Sequence, residues 1–116
     1  MKRSKLKSTS DNSHELIAIF RALSDPSRFA LVKLLAARDH SGPNRESSGG
    51  PLCVNALARR LNITQSAVSQ HLRVLRHVGL VRGERRGAFV HYAVELDSLD
   101  RAMQSLRGVL GMVCAG

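Results

Sequence analysis

Gln65, Ser66, Ser69, Gln70, His71 and Arg73 fall in a single stretch preceded by Thr64. Their side chains carry the groups that bond base edges and phosphates. A carboxamide can meet two edge atoms of adenine, a guanidinium can do the same to guanine, and a hydroxyl reaches base or phosphate. No carboxylate occurs between residues 65 and 78 to repel a phosphate. At helical spacing these residues share one side, and Val68, Leu72, Leu75 and Val78 make an apolar stripe on the other. The pattern predicts a helix that rests on a core and presents a polar, basic face to the major groove of duplex DNA. A merely solvated face is the ordinary alternative, but the residue types favour the DNA reading.

The neighbouring residues supply what such a helix needs. Thr64 can cap it by accepting a free N–H of the first turn, and Gly79 suits the left-handed residue beyond its end. Before it, Leu57, Ala58 and Leu61 give a short helix one apolar face, and Asn62 is a good residue to close that helix. After Gly79 the apolar period changes to two. Leu80-Val81 and Ala88 to Val94 read as strands, with Glu84-Arg85-Arg86 as a loop enclosed by Gly83 and Gly87. Arg82, Arg85 and Arg86 then form a cationic wing suited to phosphates or the minor groove. Between residues 54 and 94 there are seven arginines and one acid, Glu84.

Three separated stretches resemble the ArsR/SmtB family of winged-helix repressors. Ala22 to Leu35 is similar to the family's opening helices, and Leu52-Cys53-Val54-Asn55-Ala56-Leu57 to its metal box. Gln65 to Leu72, together with Gly79-Leu80-Val81 and His91-Tyr92, resembles its reading helix and wing. The resemblance covers residues 14 to 114 and implies a homodimeric repressor that leaves an inverted-repeat operator when a small inducer acts. It also implies where sensing would sit. The metal box wants a second thiolate where this chain has Asn55, which cannot act as one. The family's site on the last helix needs histidines, and none follows His91. Neither metal site is therefore expected, and no cofactor. Some relatives use a distant cysteine pair against oxidants or reactive sulfur, and Cys53 with Cys114 resembles that arrangement. Inert thiols, a thiol redox switch and a soft-metal or arsenite site all stay open, as does a constitutive DNA-binding or architectural protein with no effector.

Composition agrees with an anionic partner. The 116 residues carry a formal net charge of +9, which favours nucleic acid. No apolar run approaches the length of a membrane span, so no membrane partner is expected. Residues 1–12 are polar and basic and read as a disordered tail rather than a secretory signal. Residues 13–116 read as one winged helix-turn-helix domain, mainly α with a β-hairpin wing, dimeric through its first and last helices. Two cysteines suggest a reducing, cytoplasmic setting.

The remaining elements follow. A first helix from about His14 to Leu23 has Leu16, Ile17, Phe20 and Leu23 as its apolar face. A second begins at Pro26 behind the cap Asp25 and reaches about Arg38. Residues 39–51 have loop composition and read as an insertion, with His40 solvated. A last helix from near Asp97 carries Leu99, Met103, Leu106, Leu110 and Val113, more apolar surface than so small a domain can cover, so a second subunit is expected there. Gly108 and Gly111 either allow close approach across the dimer axis or mark fraying. No nucleophile elbow and no phosphate loop occurs, so an enzyme is not expected.

Overall fold

The computed structural model describes the backbone of residues 2–39 and 53–112, with side chains for 13–37 and 53–112. The order is α1 Lys2–Leu23, α2 Pro26–Asp39, α3 Val54–Leu61, α4 Gln65–His77, β1 Val81–Arg86, β2 Phe89–Val94 and α5 Leu96–Val109. The backbone of α1 thus starts well before His14 and runs through the segment read as a tail. Of the insertion at 39–51, Asp39 closes α2, and residues 40–51, His40 among them, lie outside the described residues, as do Val113 and Cys114.

The helix-turn-helix forms because local residues end and start its helices at the right places. Asn62 adopts the left-handed conformation (φ 58, ψ 46) and closes α3, with the Ile63 N–H donating to the Ala58 carbonyl. Thr64 then caps α4, its hydroxyl accepting from the Ala67 N–H at 3.0 Å. Gly79, at φ 82, terminates α4, and the Leu80 N–H donates back to Leu75 across the end of the helix. Leu75 and Leu80 are both fully buried, which is the apolar contact that accompanies this kind of helix end.

The core is one cluster centred on Leu31, Leu35, Leu57, Val68, Leu72, Leu75 and Leu80, all fully buried. Around it α3 packs on α4, α1 on α5, and α2 against β2. The predicted stripes of α3 and α4 face this core. In α1 the inner face is instead Leu16, Ile19 and Ala22, while Ile17 and Phe20 are 54% and 40% exposed. Apolar residues occupy more than one side of α1, and only the packing of α2 and α5 decides which side goes in. The stripe of α5 divides in the same way. Leu99 and Leu106 pack on the core beside the buried Ala102, whereas Met103 and Leu110 face out at 48% and 61% exposed. Gly111, at φ 72, ends α5, with the Met112 N–H donating to Arg107.

The hairpin is longer than its glycines suggest. Gly83, Glu84, Arg85 and Arg86 lie in β1, opposite Tyr92, His91, Val90 and Phe89, and the turn is Gly87-Ala88 alone. Gly87 takes φ 65 while Ala88 does not take a positive φ, the pattern of a II′ turn that suits the strand twist. Gly83 serves packing rather than turning. A Cβ there would come within 3.1 Å of both Tyr92 and Val90, which lean across the strand. No helix among the described residues is long and apolar enough to cross a membrane.

Candidate nucleic-acid interface

Alternation along β1 places Arg82, Glu84 and Arg86 on one face of the hairpin and Gly83 and Arg85 on the other. Glu84 draws in two of the three arginines. Its carboxylate accepts from Arg82 at 3.1 Å and from Arg86 at 3.5 Å, and Arg82 also meets Glu95 at 3.4 Å. The hydrogen bond from Arg82 holds the Glu84 carboxyl below its usual range, and the same bond raises Arg82. Arg82 sits toward the base of the hairpin, so its charge is spent largely within the molecule. Arg85 is exposed, and its guanidinium makes no ion pair among the described residues. Phe89, opposite Arg86 at the turn, is 56% exposed.

On α4, Gln65, Ser66, Ser69, Gln70 and Arg73 are all exposed, as is Thr64 ahead of them. The first turn of α4 carries no acid, so the positive end of the helix dipole and the N-terminal N–H groups other than that of Ala67, which Thr64 takes, are open to an anion. Gln65 is not idle. Its amide donates to the Asn55 Oδ1 at 2.9 Å, tying the first residue of α4 to the start of α3. Cys53, free and half-buried, sits immediately before α3.

His71 is placed differently from its neighbours. It is half-buried, with Nδ1 3.4 Å from the Arg28 guanidinium and Nε2 3.9 Å from Asp25. Arg28 is itself anchored, donating to the Ala22 carbonyl at 2.6 Å. Asp25 caps α2 as expected, accepting from the Arg28 N–H at 3.1 Å. That backbone bond, aided by the charges of His71 and Arg28, holds the Asp25 carboxyl below its usual value against a smaller desolvation effect. His71 thus seats α4 on the start of α2. Its spacing from Val68, Leu75 and Val78 was the available signal, since it continues the buried stripe. Sequence reasoning missed Asn55 as a partner of Gln65, and Arg28 and Asp25 as supports of α4. None of those pairings is local in sequence.

Among the described residues no group of three histidine, cysteine or acidic side chains is placed to hold a metal ion. Cys53 is brought beside the helix-turn-helix, and its proposed companion Cys114 lies outside the described residues.

The comparisons agree with this geometry. Residues 23–84 match the family model described as a helix-turn-helix domain. The chain is 31% identical over 98 residues to YbzH, an uncharacterized HTH-type transcriptional regulator of Bacillus subtilis (strain 168), covering 80% of this chain and 96% of that one. It is 36% identical over 84 residues to a transcriptional repressor, an SmtB homolog of Synechocystis sp., covering 72% of this chain and 54% of the relative. Among solved structures, an ArsR-like transcriptional regulator from Rhodococcus sp. RHA1 superposes with a TM-score of 0.68 at 24% identity, over 85% of this chain and 82% of that one. That last likeness concerns the fold.

Proposed function

This chain belongs to the ArsR/SmtB family of winged helix-turn-helix regulators, and from that premise we propose a two-fold dimeric repressor that reads an inverted repeat with α4 and leaves it when its thiols are oxidised. DNA is the partner of the family. The observation that carries the reading of α4 is its acid-free outer face, Gln65, Ser66, Ser69, Gln70 and Arg73, exposed on a helix fixed from behind by Val68, Leu72 and Leu75. Arg85 anchors phosphate at the wing, with Arg86 and Arg82 contributing less because Glu84 competes for them. His71 acts through the position of α4 rather than on a base.

Dimerisation is supported by the apolar residues left outside, Ile17 and Phe20 on α1 and Met103 and Leu110 on α5. Two copies of α4 would then meet half-sites about one or two turns apart, each turn roughly 10 base pairs. In the switch, two-electron oxidation joins the sulfurs of Cys53 and Cys114 and releases two protons, the oxidant taking the electrons. Because Cys53 precedes α3 and Asn55 bonds Gln65, movement at Cys53 passes to the reading helix. A soft-metal site is disfavoured, since Asn55 offers an amide already bonded to Gln65 where a thiolate would be needed.

The test is operator binding by the parent, Cys53→Ser and Cys114→Ser with and without a mild oxidant. The parent should lose affinity by about 5–150-fold, and both serine variants should stay bound. Release of either serine variant by oxidant sinks the thiol switch. Release of the parent by arsenite or cadmium but not by oxidant establishes the metal reading, and release by none of these leaves a constitutive DNA-binding protein.

A further inference from the structure

On the side of α1 and α5 that meets the end of α4, the helices leave a cleft of about 500 Å³, within the range of small-molecule sites. Its floor is apolar, made by Leu16, Ile19 and Ala102, all buried. Its walls carry two opposite charges, Glu15 on α1 and Arg101 on α5. They do not pair with each other. Among the described residues the Glu15 carboxylate makes no hydrogen bond or ion pair, and the guanidinium of Arg101 reaches only the Ser98 hydroxyl, at 3.5 Å. A cation and an anion facing one apolar floor without meeting leave the space and the charges for a ligand that carries both.

We propose that this cleft binds a small amino-acid-like zwitterion, its carboxylate on Arg101 and Ser98, its ammonium on Glu15, and its apolar body on Leu16, Ile19 and Ala102. A guanidinium suits a carboxylate because its fork offers parallel donors. The cleft stays open in the proposed dimer. With 3.6 residues per turn, Glu15 and Ala18 lie on roughly the opposite side of α1 from Ile17 and Phe20, and Arg101 and Ser105 roughly opposite Met103 and Leu110 on α5. The third wall is His77, Val78 and Gly79, the closing turn of α4. Occupancy is therefore felt at the end of the reading helix. The regulatory consequence rests on the DNA-binding reading proposed above, whereas the binding site itself does not.

The experiment uses fluorine NMR of the full chain with para-fluorophenylalanine, against para-fluorophenylacetate, which lacks the ammonium, and para-fluorophenethylamine, which lacks the carboxylate. The zwitterion should bind at least about tenfold more tightly than either relative, a discrimination of the size one satisfied charge supplies. Arg101→Gln should erase its advantage over the amine, and Glu15→Gln its advantage over the acid. Both positions are exposed, so both variants should keep the parent's circular dichroism and melting curve. Ala18→Trp should fill the cleft and abolish binding of all three. Equal binding of the three probes, or a zwitterion preference that survives both glutamine variants, overturns the site. A saturating zwitterion should shift affinity for a duplex selected by the chain from a random pool, by about 5–150-fold. An unchanged affinity overturns the coupling, and failure to select any duplex tells against the DNA reading while the NMR result still decides the cleft.

Discussion

The reading half and the α1–α5 half of this molecule distribute their apolar residues in opposite ways. On α4 the stripe residues Val68, Leu72 and Leu75 are fully buried, with Val78 half-buried beyond them, and the outer face is almost wholly polar, with Val74 at 37% exposure as the exception. On α1 and α5 an inner face also packs on the core, with Leu16, Ile19, Ala22 and Ala102 buried and Leu99 and Leu106 half-buried, yet Ile17, Phe20, Met103 and Leu110 remain outside. A polar outer face asks for an ionic partner and costs nothing while it waits in water. An apolar outer face is unfavourable in water, at roughly 25 cal/mol for each Å² left exposed, and asks for another apolar surface. The first half is finished within one chain, and the second copy proposed above would finish the other.

Truncating the finished half should do the most damage. Leu75→Ala removes a fully buried side chain that also secures the end of α4 through Leu80. It should cost about 2–5 kcal/mol, measured by urea unfolding, and take DNA binding with it. Met103→Ser, at an exposed site, should leave the urea midpoint of dilute protein almost unmoved. Sedimentation should nevertheless show the dimer dissociating at concentrations where the parent is paired. If Met103→Ser unfolded the chain as Leu75→Ala does, the contrast between the halves would collapse.

Within the reading half a finer contrast separates base from backbone. Gln70→Ala should lose about 1–3 kcal/mol at one base position only, read by competition between duplexes differing at that pair. Arg85→Ala should weaken all duplexes alike and lower the salt slope by about 0.9. Arg86→Ala should do the same more weakly, because Glu84 already holds that guanidinium. A wing variant that changed base preference would reverse the assignment. Smaller again is Thr64→Ala, which removes the hydroxyl that accepts from Ala67. It should cost about 1 kcal/mol, with Thr64→Ser nearly silent.

The same contrast explains what could be read from the sequence. The reading half is built from local rules: Thr64, Asn62 and Gly79 act on backbone within five residues of themselves, and each does what its residue type predicts. Wherever a partner comes from far along the chain, the sequence falls short. Gly83 looks like a loop residue until Tyr92 is seen leaning over it. His71 reads as one more residue of the groove face, with no sign in the sequence of Asp25 and Arg28, beside which it lies half-buried. Gln65 reads as a base contact alone, with no sign in the sequence that Asn55 accepts from it. Ile17 and Phe20 look like core because only the packing of α2 and α5 shows that Ile19 and Ala22 have taken that place. The cleft bearing Glu15 and Arg101 leaves no trace in the sequence, since its walls come from three separate helices.

The smallest expected effect tests the seam where the two halves join, at Asp25. Its carboxylate caps α2 through the Arg28 N–H and faces His71 on α4. Its folded pKa is depressed, chiefly by that backbone bond. A group held below its unfolded value contributes stability that is present above the ordinary carboxylate range, near 4, and is lost as pH falls through the lower folded value. Asparagine caps a helix about as well as aspartate but does not titrate. Asp25→Asn should therefore melt close to the parent, or slightly below it, at neutral pH. As pH falls from about 5 toward 3 the parent should lose stability faster, and the two melting curves should converge within a few degrees. Asp25→Ala, lacking a cap at any pH, should lie below both at neutrality and show the same flattened acid limb as asparagine. Parallel acid limbs for parent and Asp25→Asn would mean that Asp25 seats α2 and α4 by shape alone, and that its charge contributes nothing to the joint between the halves.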